Sequence, residues 1–139
     1  MNEIEIEQSC IALSHRFARY VDERRFADFA ALFTEDGVFD RRGEALAGRD
    51  AILASMAGRP ASLLVRHHVT TVSVDVVDEE TATGLCYFAF YQCSDWDGET
   101  AEKLALAGPA IVGEYRDRYR RTAEGWRIAH RQALMTFMR

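Results

Sequence analysis

Long apolar runs are missing from this chain, and no stretch approaches the ~18 residues that a membrane span requires. Its start, "MNEIEIEQS", has neither a basic n-region nor an apolar h-region, so it does not read as a secretory signal. Cysteine is scarce. Cys10, Cys86 and Cys93 are odd in number and show no metal-ligand spacing. They suit a reducing compartment, where they pack as small apolar side chains, and the expected location is cytoplasmic. Basic charge is in deficit: 17 Lys and Arg stand against 22 Asp and Glu, for a net charge of −5 and a pI near 5.4. That balance excludes the basic footprint of a nucleic-acid-binding domain. Lys103 is the only lysine, so the basic residues are almost all arginine. A glycine-rich phosphate loop and a "GxSxG" elbow are also absent, which removes support for nucleotide binding and for a nucleophilic triad. His67 and His68 cannot both ligate a metal from one regular strand, and no other His/Asp spacing suggests a metal site. Neither a metal nor a cofactor is expected.

What is present suffices for one domain, 1–139. The chain is 48% hydrophobic and 28% charged and can bury a core without disulfides or metal. Ile6, Cys10, Leu13, Phe17, Tyr20 and Val21 recur at steps of three and four, predicting a helix over 3–21. A second helix is expected over 24–33, ended by the turn residues "TEDG". A short strand at 38–40 and a glycine-bounded helix over 47–58 follow. The second half turns β-rich: 64–77 and 81–93 read as a hairpin about "DEET", then strands over 111–122 and 126–138. Helices segregated from an antiparallel meander predict an α+β fold with the sheet curling round the helices.

Alternation assigns faces. Ile111, Tyr115 and Tyr119 alternate with Glu114, Arg116, Arg118 and Arg120, so one face of that strand is aromatic and the other charged. In "HHVTTVSVDVV" the even positions (His68, Thr70, Val72, Val74, Val76) are the more apolar. Regular alternation therefore turns His68 inward and His67 outward. A β-bulge between 68 and 72 would invert that assignment. An interior histidine needs partners for its ring nitrogens. A carboxylate partner would make it a general base, and Asp22 and Asp40 are the candidates. Asp22 also reads as the N-cap of the second helix, and Asp40 as a turn residue.

The pattern "RYVDERRFADFAALFTEDGVFD … GRDAI … RHHVTTVSVDV … GEYRDRYRRTAEGWRIAHR" resembles the SnoaL-like branch of the nuclear-transport-factor-2-like superfamily over nearly the whole chain. The resemblance implies a cone-shaped α+β barrel, with three N-terminal helices packed in a strongly curved antiparallel sheet and an apolar pocket at the open end. Members include scytalone dehydratase, bile-acid dehydratase, hexachlorocyclohexane dehydrochlorinase, ketosteroid isomerase-like enzymes and polyketide cyclases. Non-catalytic members include the small subunit of ring-hydroxylating dioxygenases. In the dehydratases and the dehydrochlorinase, a His opening the long strand pairs with an Asp just after the first helix. That match falls on His68 and Asp22, which would together abstract a proton from carbon.

Two departures stand out. Ala110 lies where scytalone dehydratase has a second histidine, and Phe17 where the dehydrochlorinase has a lysine. Replacement helpers would come from Tyr20, Tyr115, Tyr119 or His130, the last sharing parity with Trp126 and Ile128. Phe17, Phe33, Tyr115 and Tyr119 are the expected substrate-binding side chains. The implied activity is a cofactor-free lyase or isomerase acting on a small hydrophobic, cyclic molecule. The chain would form a homodimer through the outer sheet face, with Glu114 beside the Arg116/Arg118/Arg120 row. The alternative is a non-catalytic binding or assembly module in which His68 is structural and Asp22 a helix cap. Geometry separates the two: a His–Asp pair within hydrogen-bonding reach and touching a cavity favours the enzyme.

Overall fold

The computed structural model describes residues 1–139. Helix α1 spans Glu3–Asp22 and is opened by a capping box. Asn2 accepts from the Glu5 N–H while the Glu5 carboxylate accepts from the Asn2 N–H, each at 2.9 Å. Its apolar stripe is buried along Ile6, Cys10, Leu13, Phe17 and Val21. Helix α2 (Phe26–Ala31) and strands β1 (Phe33–Arg41) and β2 (Glu44–Ala47) follow, then helix α3 (Arg49–Ala57). The second half is β3 (Leu64–Val76), β4 (Thr81–Cys93), β5 (Ile111–Thr122) and β6 (Gly125–Met138).

The α+β order expected from the sequence is the one adopted, with local differences. Helix α2 stops at Ala31, so Phe33 begins a strand instead of ending a helix. "TEDG" lies within β1, where its register against β6 slips between Phe33 and Val38. Strand β2, "EALA", holds no β-branched or aromatic residue, so propensity gave no sign of it.

The six strands form one sheet in the order β2-β1-β6-β5-β4-β3. Every pairing is antiparallel except β1 with β6, and the sheet stays open, with β2 and β3 as edges. Helix α1 packs chiefly on β3 and on β6, three strand steps apart, rather than on β4 and β5 between them. A flat sheet would offer the nearest strands first. The sheet is therefore bent around α1, leaving a hollow beneath the helix. Phe17, Phe29, Phe33 and Phe39 meet there, with the Phe17 ring 4.5 Å from Phe29 and 5.5 Å from Phe39, centroid to centroid.

Two register breaks decide which side chains reach that hollow. In the β3–β4 ladder, Val69 pairs with Phe88 and Val72 with Cys86, so Thr70 and Thr71 together oppose Tyr87. In the β5–β6 ladder, Arg118 pairs with His130 and Tyr119 with Ile128, which leaves Ala129 as an extra residue. Each bulge flips the alternation beyond it. On β3 the inward positions are Val65, His67 and Val69 before the bulge, then Val72, Val74 and Val76 after it. On β6 they run Trp126 and Ile128, then Arg131 and Ala133.

Candidate active site

The inward histidine is His67. His68 is exposed on the other side of β3, with its ring 5.0 Å from that of Tyr91. The assignment of His68 to the interior is thus corrected, and the bulge at Thr70–Thr71 is the cause. Val72, Val74 and Val76 do point inward, but their parity does not carry back to the start of the strand.

His67 meets Asp22, the final residue of α1. Its ring Nδ1 lies 2.7 Å from Asp22 Oδ1, and its backbone N–H donates to Asp22 Oδ2 at 2.9 Å. An ionised carboxylate only accepts, so Nδ1 carries the proton and Nε2 is left as the basic nitrogen. The two side chains are 9% and 13% exposed, dry enough for the pair to hold its geometry. Asp22 does not cap α2: the N-cap there is Arg25, which makes no side-chain cap bond. Phe90 and Phe88 flank the His67 ring at 4.9 and 6.4 Å.

His67 forms part of the wall of a cavity of about 360 Å³, most of whose lining is hydrophobic. Of the expected substrate-binding residues, Phe17 and Tyr115 reach this wall. Phe33 and Tyr119 do not. Phe33 lies fully buried within the phenylalanine cluster, and the Tyr119 hydroxyl donates to Asp117 at 2.9 Å. Tyr20 lies away from the cavity, its ring under the Arg25 guanidinium at 4.3 Å. His130 faces the outer side of the sheet, among Asp75, Glu114, Arg116 and Arg118, because the Ala129 bulge turned it outward. Tyr20, Tyr119 and His130 are therefore not helpers at this cavity, and Tyr115 is the one such candidate that touches it. No protein hydrogen bond reaches the Tyr115 hydroxyl, and burial pushes its pKa above the ordinary tyrosine range. It stays protonated and is available as a donor.

Three arginines escaped the sequence reading. Arg131, on the inward side of β6, is fully buried. It makes two bonds to Asp117, each 2.8 Å, and a third to Ser14 Oγ at 2.7 Å. Burial alone would lower its pKa, yet attraction and hydrogen bonds from Asp117 hold it firmly protonated. Its guanidinium lies 4.4 Å from both the Phe17 and the Tyr115 ring centroids, fixing two cavity-wall aromatics from behind. Asp117 was the available signal: an acid on the inward parity of β5 requires a buried cation. Arg41 and Arg59 line the cavity itself. Arg41 donates to Ser55 Oγ at 2.9 Å, and burial lowers its pKa. Burial, with repulsion from Arg41, pushes Arg59 down to about 10. No cluster of three or more His, Cys, Asp or Glu side chains is placed to hold a metal ion, and no helix is long and apolar enough to cross a membrane.

The model of the SnoaL-like domain matches residues 2–132. The chain belongs to the SnoaL-like family. Among solved structures, this SnoaL-like chain is similar to a Mycobacterium tuberculosis protein of unknown function, with 27% identity over 97% of this chain and 73% of that one, and a TM-score of 0.80. A nuclear-transport-factor-2-like protein with a cystatin-like fold from Novosphingobium aromaticivorans is 25% identical over 96% of this chain and 83% of that one, at a TM-score of 0.79. A candidate scytalone dehydratase from the same organism shares the fold, with 20% identity over 96% and 85% of the two chains and a TM-score of 0.75. No match to a curated protein was found.

Proposed function

We propose that this SnoaL-like protein is a cofactor-free lyase or isomerase of the dehydratase type, with His67 as its general base. The observation that carries this reading is the 2.7 Å His67–Asp22 contact at the wall of an apolar cavity. A histidine with one nitrogen anchored to a carboxylate and the other free of protein partners is the arrangement of a general base. The substrate is a small hydrophobic, cyclic molecule, in keeping with the aromatic lining. His67 Nε2 takes a proton from carbon beside a carbonyl or a leaving group, and Asp22 stabilises the imidazolium that forms. Tyr115, with its raised pKa, donates a hydrogen bond to the substrate oxygen without giving up its proton. Since Tyr115 keeps its proton, the proton gained by Nε2 is the one returned to a departing oxygen, so elimination proceeds on one face. The chain pairs with a second copy through the outer sheet face, around Glu114, Arg116 and Arg118.

The test is a panel of cyclic β-hydroxyketones assayed for loss of water, with solvent-deuterium incorporation beside the carbonyl as a second readout. His67→Gln and Asp22→Asn should each lower the rate by roughly 10²–10⁴-fold while leaving the circular dichroism unchanged. Full turnover in both variants would sink the proposal.

A further inference from the structure

The cavity wall carries Arg41, Arg42 and Arg59 against a single acid, Glu44, in a protein whose net charge is −5. Arg59 is the unusual member. Its Nη1 is buried and has no hydrogen-bond partner in the protein. Nearby acids do not supply one: Asp22 spends both carboxylate oxygens on His67, and the attraction of Glu44 falls on Arg41. The position is nevertheless built. Arg24 donates to the Arg59 carbonyl at 3.0 Å and the Pro60 carbonyl at 3.1 Å, fixing the backbone that carries the guanidinium. Arg41 is held by Ser55 and lies 5.4 Å from the Phe39 ring centroid. Arg59 is half-buried, no acceptor of the protein meets its guanidinium, and a buried unpaired N–H is costly.

From this geometry we infer that the substrate is an organic acid, whose carboxylate is received by Arg59 with support from Arg41 while its ring fills the apolar part of the cavity. The inference rests on the proposed reading of the cavity as a substrate site and names the class of molecule that enters it. A planar carboxylate matches the guanidinium fork that Arg59 brings to the cavity wall. At about 360 Å³ the cavity has room for a ring system with a compact acid group. The carboxylate would also be anchored in the same chamber as His67 Nε2, orienting a ring C–H toward the base.

Calorimetric titration of the full chain with three acid and amide pairs tests this: benzoate and benzamide, 2-naphthoate and 2-naphthamide, 3-phenylpropionate and 3-phenylpropanamide. The acid of the best-fitting pair should bind roughly ten- to hundredfold more tightly than its amide. Arg59→Met should abolish that preference. Should Arg59→Met not fold, Arg59→Lys carries the test, because a point charge cannot reproduce the fork: a reduced preference supports the inference and an undiminished one overturns it. His67→Gln should keep the preference while losing turnover, so failure of the anion site and failure of the general base are read separately. The inference is overturned if no acid outbinds its amide in any pair, if the preference survives in folded Arg59→Met, or if His67→Gln abolishes it.

Discussion

Two aspartates stand on either side of the cavity wall, and each holds a cationic or potentially cationic partner. Asp117 meets Arg131 with both oxygens, inside a sealed shell where neither side chain is exposed. Asp22 also uses both oxygens, but its partner His67 keeps Nε2 free of the protein and on the cavity wall. Arg131 has no accessible proton equilibrium and is wedged between two aromatic rings. His67 touches open space. The first pair is sealed on every side, and the second leaves one ring nitrogen without a protein partner at the cavity wall.

Breaking each pair should therefore register in different measurements. The largest effect is expected from Asp117→Asn, which leaves Arg131 buried without a full countercharge. Its urea-unfolding free energy should fall by about 3–5 kcal/mol, well beyond the loss in Asp22→Asn. Equal losses in the two variants would erase the distinction. A smaller effect separates the neighbouring histidines: His68→Gln should keep its stability within about 0.5 kcal/mol of the parent and retain full activity, whereas His67→Gln loses activity. Similar activity losses in both would mean that the bulge does not set their roles.

The smallest effect lies outside both pairs, at Asp36. A hydrogen bond from Arg120, then one from Thr34, holds its carboxyl below the ordinary value of 3.8. A depressed folded-state pKa contributes stability above the unfolded value, and that contribution disappears as the pH falls through the folded value. The melting-temperature gap between the parent and Asp36→Asn should thus be slight at neutral pH and close below about pH 3.8. A gap that widens in acid would contradict the pairing.

Periodicity carried the fold well, because α1, β4 and β5 each keep one period along their length. The site was less legible, since it depends on two places where the period breaks. In β3 the switch was visible in principle. Val65 and Val69 share odd parity while Val72, Val74 and Val76 share even parity, and the step falls at Thr70–Thr71. Reading parity from the valines after the step projected the wrong phase onto the histidines. In β6 the same inversion is masked, because the first inward residue after Ala129 is Arg131, which looks like a surface residue until Asp117 is recognised as its partner. Asp22 was singled out from its place at the end of α1, and the structure sets it against His67, one position from the partner expected. Arg59 gave no periodic signal, since it lies in the turn after α3, where side-chain direction is set by tertiary contacts.

Asp22 grips the main chain of His67 as well as its ring, and β3 is an edge strand with a neighbour on one side only. A single carboxylate therefore docks the end of a helix, fastens the free border of the sheet and orients the His67 ring. Fraying of that corner would not yield a slightly misaligned histidine. It would remove anchor and orientation in one event, so the geometry of this site is all-or-none with the docking of α1.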